Sequence, residues 1–127
     1  MEVMFSIVIV GIAIVSLMML FAAGTKVNAY GNELSTAVFL ADQLRAMTDQ
    51  INFIDLLAYD DNVFNGVDAD GNPVPGMQNF QQTLDVLSIN PNDLTVYVGP
   101  DPEAVILKAT VSKAGNQITQ ISWLRVR

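Results

Sequence analysis

The sequence contains no cysteine and no histidine. Disulfide bonds, Cys/His zinc sites, Ser-His-Asp triads and cysteine nucleophiles are thereby excluded. Positive charge is scarce: six Lys and Arg stand against thirteen Asp and Glu, for a net charge of −7. Affinity for nucleic acid is carried by Lys and Arg on phosphate, so no nucleic-acid partner is expected. With 127 residues the chain has room for one modest core. Yet 51% of it is hydrophobic, high for so acidic a protein, and the excess lies at the front.

Residues 3–23 run without a charge, interrupted among large apolar side chains only by Ser6, Gly11 and Ser16. At a helical rise of ~1.5 Å such a run spans roughly 30 Å, the thickness of a hydrocarbon core. It is apolar on every side, which reads as a membrane span and not as one face of a soluble helix. A cleaved secretory signal would need a basic start and a shorter apolar run, although Ala22-Ala23-Gly24 has some character of a cleavage site. The other plain reading is a single-pass anchor. Glu2 is the unusual residue, a carboxylate at the edge of an apolar span. Such a group is costly and marks a functional hypothesis, against the alternative that it sits hydrated among lipid headgroups.

The helical pattern continues past Gly24. Apolar residues fall at Val27, Tyr30, Leu34, Val38, Ala41, Leu44, Met47, Ile51, Ile54 and Ala58, in steps of three and four that draw one stripe. Gly24 and Gly31 each cost roughly 1 kcal/mol against Ala in a helix, so a bend or local melting is expected there. Tyr59-Asp60-Asp61-Asn62 is expected to end the helix, giving one long helix over residues 3–58. A one-sided helix must bury its stripe, and residues 63–127 must supply the cover.

Those residues read as turns and strands. Asp70-Gly71-Asn72-Pro73 is a turn signal that joins a short hairpin between Val67 and Val74. The alternative is a cation loop, because Asp68, Asp70 and Asn72 alternate as at the start of an EF-hand. Asn79 stands where that loop requires Glu, so the match fails. Strands are expected over residues 82–89, 94–98, 104–112 and 118–126, broken at Asn90-Pro91-Asn92-Asp93 and Gly99-Pro100-Asp101-Pro102. The last two form an antiparallel pair about Ala114-Gly115-Asn116-Gln117. Trp123 is expected in the core or covering the sheet face. No internal repeat, low-complexity segment or interdomain linker is evident.

In this order of elements, and in Glu2-Val3-Met4-Phe5-Ser6-Ile7-Val8-Ile9-Val10-Gly11-Ile12, the chain resembles the type IV pilins and type II secretion pseudopilins. The Glu-Val start is most similar to minor pilins and minor pseudopilins. Residues 24–28, 37–41 and Ser122-Trp123-Leu124 are also similar to stretches of uncharacterised pilin-like proteins. The resemblance implies an α+β, pilin-like fold, with a long N-terminal helix and a small antiparallel sheet packed on its second half. Residues 1–24 would be the transmembrane and assembly half of the helix. Residues 25–127 would be an extracytoplasmic head, amphipathic helix to about 59 and then sheet.

The function so implied is that of a non-catalytic structural subunit of a pilus-like or pseudopilus filament. Its partners would be other pilin or pseudopilin subunits, a prepilin peptidase that cleaves and N-methylates it, an inner-membrane assembly platform with its ATPase, and membrane lipid. It would sit in a bacterial inner membrane as a single-pass protein, its head in the periplasm or cell exterior. No cofactor and no metal are implied. Glu2 would be the assembly residue. In the water-poor core of a filament a carboxylate is tolerable only if paired, and the resemblance implies pairing with the α-amino group of a neighbouring subunit. Ser6, Gly11 and Ser16 are small enough to let helices approach. The family's short basic leader does not stand ahead of Glu2. Met1 occupies the position just before the acidic residue, which is expected if translation truly begins upstream. The loop-closing cysteines of many pilins and the frequent proline of the first apolar stretch are missing too.

Two other classes are weighed. An anchored or exported binding module would use the acidic head on a cation, a basic partner or a glycan. An enzyme would have to work through carboxylate pairs such as Asp60-Asp61 or Asp68 and Asp70, and both lie in turn-like sequence where Asp serves the backbone.

Overall fold

A computed structural model describes residues 2–127, apart from the side chains of Glu2 and Phe5. The protein is α+β. One helix, α1 (Glu2–Gln50), precedes a short 3-10 helix (Asp55–Tyr59) and four strands: β1 (Asn62–Asn65), β2 (Phe80–Ile89), β3 (Ala104–Lys113) and β4 (Asn116–Val126). The strands form one antiparallel sheet in the order β1-β2-β3-β4, each pairing with its neighbour in sequence. The chain divides into two compact units, Met1–Glu33 and Leu34–Arg127.

α1 is continuous through Gly24 and Gly31, where a bend was expected. Neither glycine has a neighbour within 4 Å of a built Cβ, so nothing in the chain exploits the missing side chain to pull the helix aside. The end of the helix also differs from the expected 58. α1 stops at Gln50, where the Ile51 amide turns back to the Thr48 carbonyl at 3.2 Å. The Asn52 carbonyl then starts the 3-10 helix by accepting from the Asp55 and Leu56 amides at 3.0 and 3.2 Å. This break turns Leu56 fully inward, onto Leu84, Val86, Val105 and Leu107, while Ile54 stays 61% exposed. The three-and-four spacing persists through the break because a 3-10 turn of about three residues imitates it.

No basic residue lies in the last turn of α1. The orphan carbonyls there are served from the far end of the chain. Arg125 on β4 donates through Nη1 to the Thr48 carbonyl and through Nη2 to the Ile51 carbonyl, the latter at 2.8 Å. A guanidinium at this position also complements the negative end of the helix dipole.

Alternation along the strands places one face against α1. Leu84 and Val86 of β2 and Val105, Leu107 and Ala109 of β3 pack with Leu44, Met47 and Leu56, and half-buried Trp123 packs on this cluster. Phe80 and Val111 pack with Ala37, Leu40 and Ala41 in a second cluster. The expected core role of Trp123 therefore holds. The β3–β4 turn has Ala114 at φ 51° and Gly115 at φ 79°, the paired positive angles of a type I′ hairpin.

Two further expectations change. β1 was not anticipated, because its four residues sit where the helix was expected to end. Residues 94–98 contribute only an isolated bridge, Ile89 with Val96. Backbone bonds still run from the Asn90 amide to the Thr95 carbonyl and from the Tyr97 amide to the Ser88 carbonyl, each at 2.9 Å, while the Asp93 carboxylate accepts from both the amide and the hydroxyl of Thr95, at 3.1 and 2.8 Å. The bonds from Thr95 hold the Asp93 pKa below the ordinary carboxylate value.

Gln82 is a polar member of the core, as is Thr48. Gln82 lies in phase with Phe80 and Leu84 and is fully buried. Its Nε2 donates to the carbonyls of Leu40 (2.8 Å) and Val67 (3.1 Å), and its Oε1 accepts from the Val67 amide at 2.8 Å. One side chain thus joins α1, β2 and the loop after β1. Beside it the Val74 amide donates to the Gly66 carbonyl at 2.7 Å, and Val67 bridges Pro73, which is the expected short hairpin. Gly66 has φ 55°, and a Cβ there would lie 2.2 Å from the Met77 carbonyl oxygen, so only glycine fits.

Gln82→Leu keeps the volume roughly constant but strands both backbone groups of Val67. It is expected to lower unfolding free energy by about 2–4 kcal/mol. Urea titration of the full chain in detergent, followed by Trp123 fluorescence, checks this; an unchanged midpoint would mean that water replaces the amide.

Candidate functional site

The N-terminal unit presents apolar side chains on every side. Val3, Ile7, Ile9, Leu20 and Phe21 are each at least 65% exposed. This is one helix, near the N-terminus, long and apolar enough to cross a membrane. Twelve of residues 3–23 are Val, Ile, Leu or Phe. At ~0.3–0.6 kcal/mol each, they favour insertion by roughly 4–7 kcal/mol. The polar interruptions are partly neutralised by the helix itself. Ser16 Oγ donates to the Ile12 carbonyl and Thr25 Oγ1 to the Phe21 carbonyl, each at 2.8 Å. A hydroxyl satisfied in this way needs no water and no partner helix. Glu2 opens α1, at the N-terminal end of this run, and its side chain lies outside the described residues. Gly11 meets nothing within 4 Å, so its small size serves no contact inside the chain.

The carboxylate pairs have structural duties. Asp60, Asp61 and Asp85 bring their oxygens within 4.8 Å of one another, close enough to share a cation. Asp60 Oδ1, however, accepts from the Val86 amide at 2.7 Å, and Asp85 pairs with Lys108 Nζ at 2.7 Å. The hydrogen bond and charge of Asp85 raise the Lys108 pKa above its ordinary value. Asp85 therefore favours the folded state up to the ordinary lysine pKa of ~10.5, and this support fades as pH rises through the raised value. Asp68 Oδ1 accepts from the amides of Asp70 (3.0 Å) and Asn72 (2.8 Å), building the turn. Asp68 thus acts on its own backbone, and Asp70 remains exposed at the tip.

A groove of about 560 Å³ lies between α1 and β4, lined by Val38, Phe39, Asp42, Arg45, Ile121 and Trp123. The Arg45 guanidinium lies 5.8 Å from the centre of the Trp123 ring. It is open and mainly apolar, with no converging acid–base pair, and has the character of a contact surface. Sequence reasoning missed both this groove and Gln82. The signal for Gln82 was present: a polar residue in the inward phase of a strand. The groove depends on how β4 lies beside α1, which no local pattern encodes.

Comparison with known proteins finds no matching family model, no matching curated protein and no matching solved structure.

Ile12→Asp places a charge near the middle of the apolar run at a cost of about 2.5–3.5 kcal/mol. The expected outcome is a marked rise in the fraction of chain extracted from membranes by alkaline carbonate, with no change in the fold of residues 34–127. Unchanged extraction would remove the membrane role from this segment.

Proposed function

We propose that the protein is a non-catalytic structural subunit of a type IV pilus-like or type II secretion pseudopilus filament, held in the bacterial inner membrane before assembly. The observation that carries this reading is the order of parts: Glu2, then an exposed apolar helix, then the same helix covered by an antiparallel sheet. A subunit that passes from a bilayer into a filament needs a helix apolar all round, because both surroundings exclude water. In such a filament Glu2 pairs with the amino terminus of a neighbour and sets the axial step, since an unpaired carboxylate there is strongly disfavoured. Processing by a prepilin peptidase and extraction by an inner-membrane platform belong to the same reading, with the head on the periplasmic or outer side.

A membrane-anchored extracytoplasmic binding module is the second reading. The open groove beside Trp123 favours it, as a surface with apolar walls and a cation at the rim.

Glu2→Ala separates the two. For a filament subunit, membrane insertion stays intact while incorporation into sheared surface filaments is lost. For a binding module neither changes. The in-frame DNA upstream of the Met1 codon supplies a second check: a short Lys/Arg-bearing stretch ending in Gly is expected.

A further inference from the structure

The N-terminal unit, Met1–Glu33, carries a charge pattern that the filament reading does not use. Among residues 1–32 only Glu2 and Lys26 have charged side chains. They bracket the apolar run and stand twenty-four positions apart in one continuous helix, a span of about 36 Å. A hydrocarbon core is about 30 Å thick, and a bilayer with its headgroups about 40–45 Å. With the apolar run across the core, each charge therefore falls in a headgroup layer.

Lys26 follows Ala23 by three residues, about 4–5 Å of helix, and a headgroup layer is about 5–8 Å deep. The side chain is exposed. The positions three and four away on either side, where a helical ion pair would form, hold Ala22, Ala23, Ala29 and Tyr30, and none is a carboxylate. A counter-charge for Lys26 must therefore come from outside this stretch of helix. Tyr30 shares its face and is 60% exposed. Helical side chains lean toward the N-terminus, so the Tyr30 ring leans back toward Lys26 and the apolar run. A flexible cation beside a ring with an apolar body and a hydroxyl tip suits the boundary between lipid and water. Residues 34–127 offer no rival attraction, because eleven carboxylates stand there against five cations and an anionic lipid surface repels them on balance.

We propose that Lys26 binds the phosphate of a phospholipid headgroup, with Tyr30 seated beside it, and that this anchor sets the depth of α1 in the bilayer. The ligand is recognised by its charge through the ammonium group and by the layer it occupies through the ring. Glu2 at the other end of the run has the wrong sign for this role. The proposal deepens the reading given above and rests only on its membrane-held state, before any assembly.

The chain has three lysines, Lys26, Lys108 and Lys113, so lysine-selective 15N labelling gives a direct test. The full chain is reconstituted in vesicles of phosphatidylethanolamine and phosphatidylglycerol, and solid-state NMR reads the dephasing of lysine Nζ by lipid 31P. One lysine in three is expected to dephase, and the effect is expected to vanish in Lys26→Met. No dephasing in the parent chain, or dephasing that survives Lys26→Met, overturns the proposal. Frozen dodecyl maltoside micelles with inorganic phosphate are expected to show none; dephasing there would mean a site for free phosphate and overturn the lipid assignment. Depth is read separately, because the chain has no cysteine of its own. Val27→Cys is modified by an impermeant maleimide on copies whose head faces outward. Adding Lys26→Leu extends the apolar run to position 27 and is expected to slow modification about fivefold or more, while Lys26→Arg leaves the rate unchanged. Equal rates in all three chains overturn the depth role. Vesicles contain no assembly machinery, so filaments that depend on Glu2 without lysine dephasing overturn the anchor alone. Dephasing with filaments indifferent to Glu2 leaves the anchor and overturns the filament reading.

Discussion

Everything in this protein depends on the change of surroundings along α1. Its first part offers apolar side chains in every direction. From Ala37 to Thr48 a single stripe is buried to 8% exposure or less, and the opposite side is wet. A bilayer or a bundle of like helices satisfies the first condition, and only a folded head satisfies the second. The sheet is therefore a local answer to one stripe. It needs no more than the inward faces of β2 and β3, with β4 lending Ile121 and Trp123 at the margin.

How much of this was legible follows from the range of the interactions involved. The apolar run, the Val, Ile and Thr of 104–112 and the alternation over 118–126 are written in neighbouring residues and became structure, whereas the expected stripe is buried only in part: Ala41, Leu44 and Met47 lie in the core, while Val27, Tyr30, Val38 and Ile54 are exposed and Leu40, outside the expected stripe, is buried. The turn at Ala114-Gly115 was legible for the same reason. The end of α1 was not, because its cap is Arg125, seventy-seven residues from Thr48. β1 was hidden because its four residues directly follow the expected end of the helix. The expected strand at 94–98 is reduced to an isolated bridge, Ile89 with Val96. Of the acidic pairs, Asp68 builds its turn, and Asp60 holds the amide of Val86, twenty-six residues away.

Function divides along the same line. The assembly role given to Glu2 belongs to a contact with another molecule, and a single chain contains only half of it. The groove beside Trp123 likewise faces outward. What a chain presents outward is harder to read than what it buries, because burial constrains both partners within one sequence.

The tie made by Gln82 carries a consequence for where the protein can fold. Its amide joins the helix, the sheet and the loop at Val67 through hydrogen bonds alone, and Arg125 closes the helix end in the same manner. Many proteins that mature outside the cytoplasm close such loops with sulfur, and so wait on an oxidant and an isomerase. This head has no such dependence. Its final connectivity requires no thiol oxidation and is indifferent to the thiol poise of the compartment.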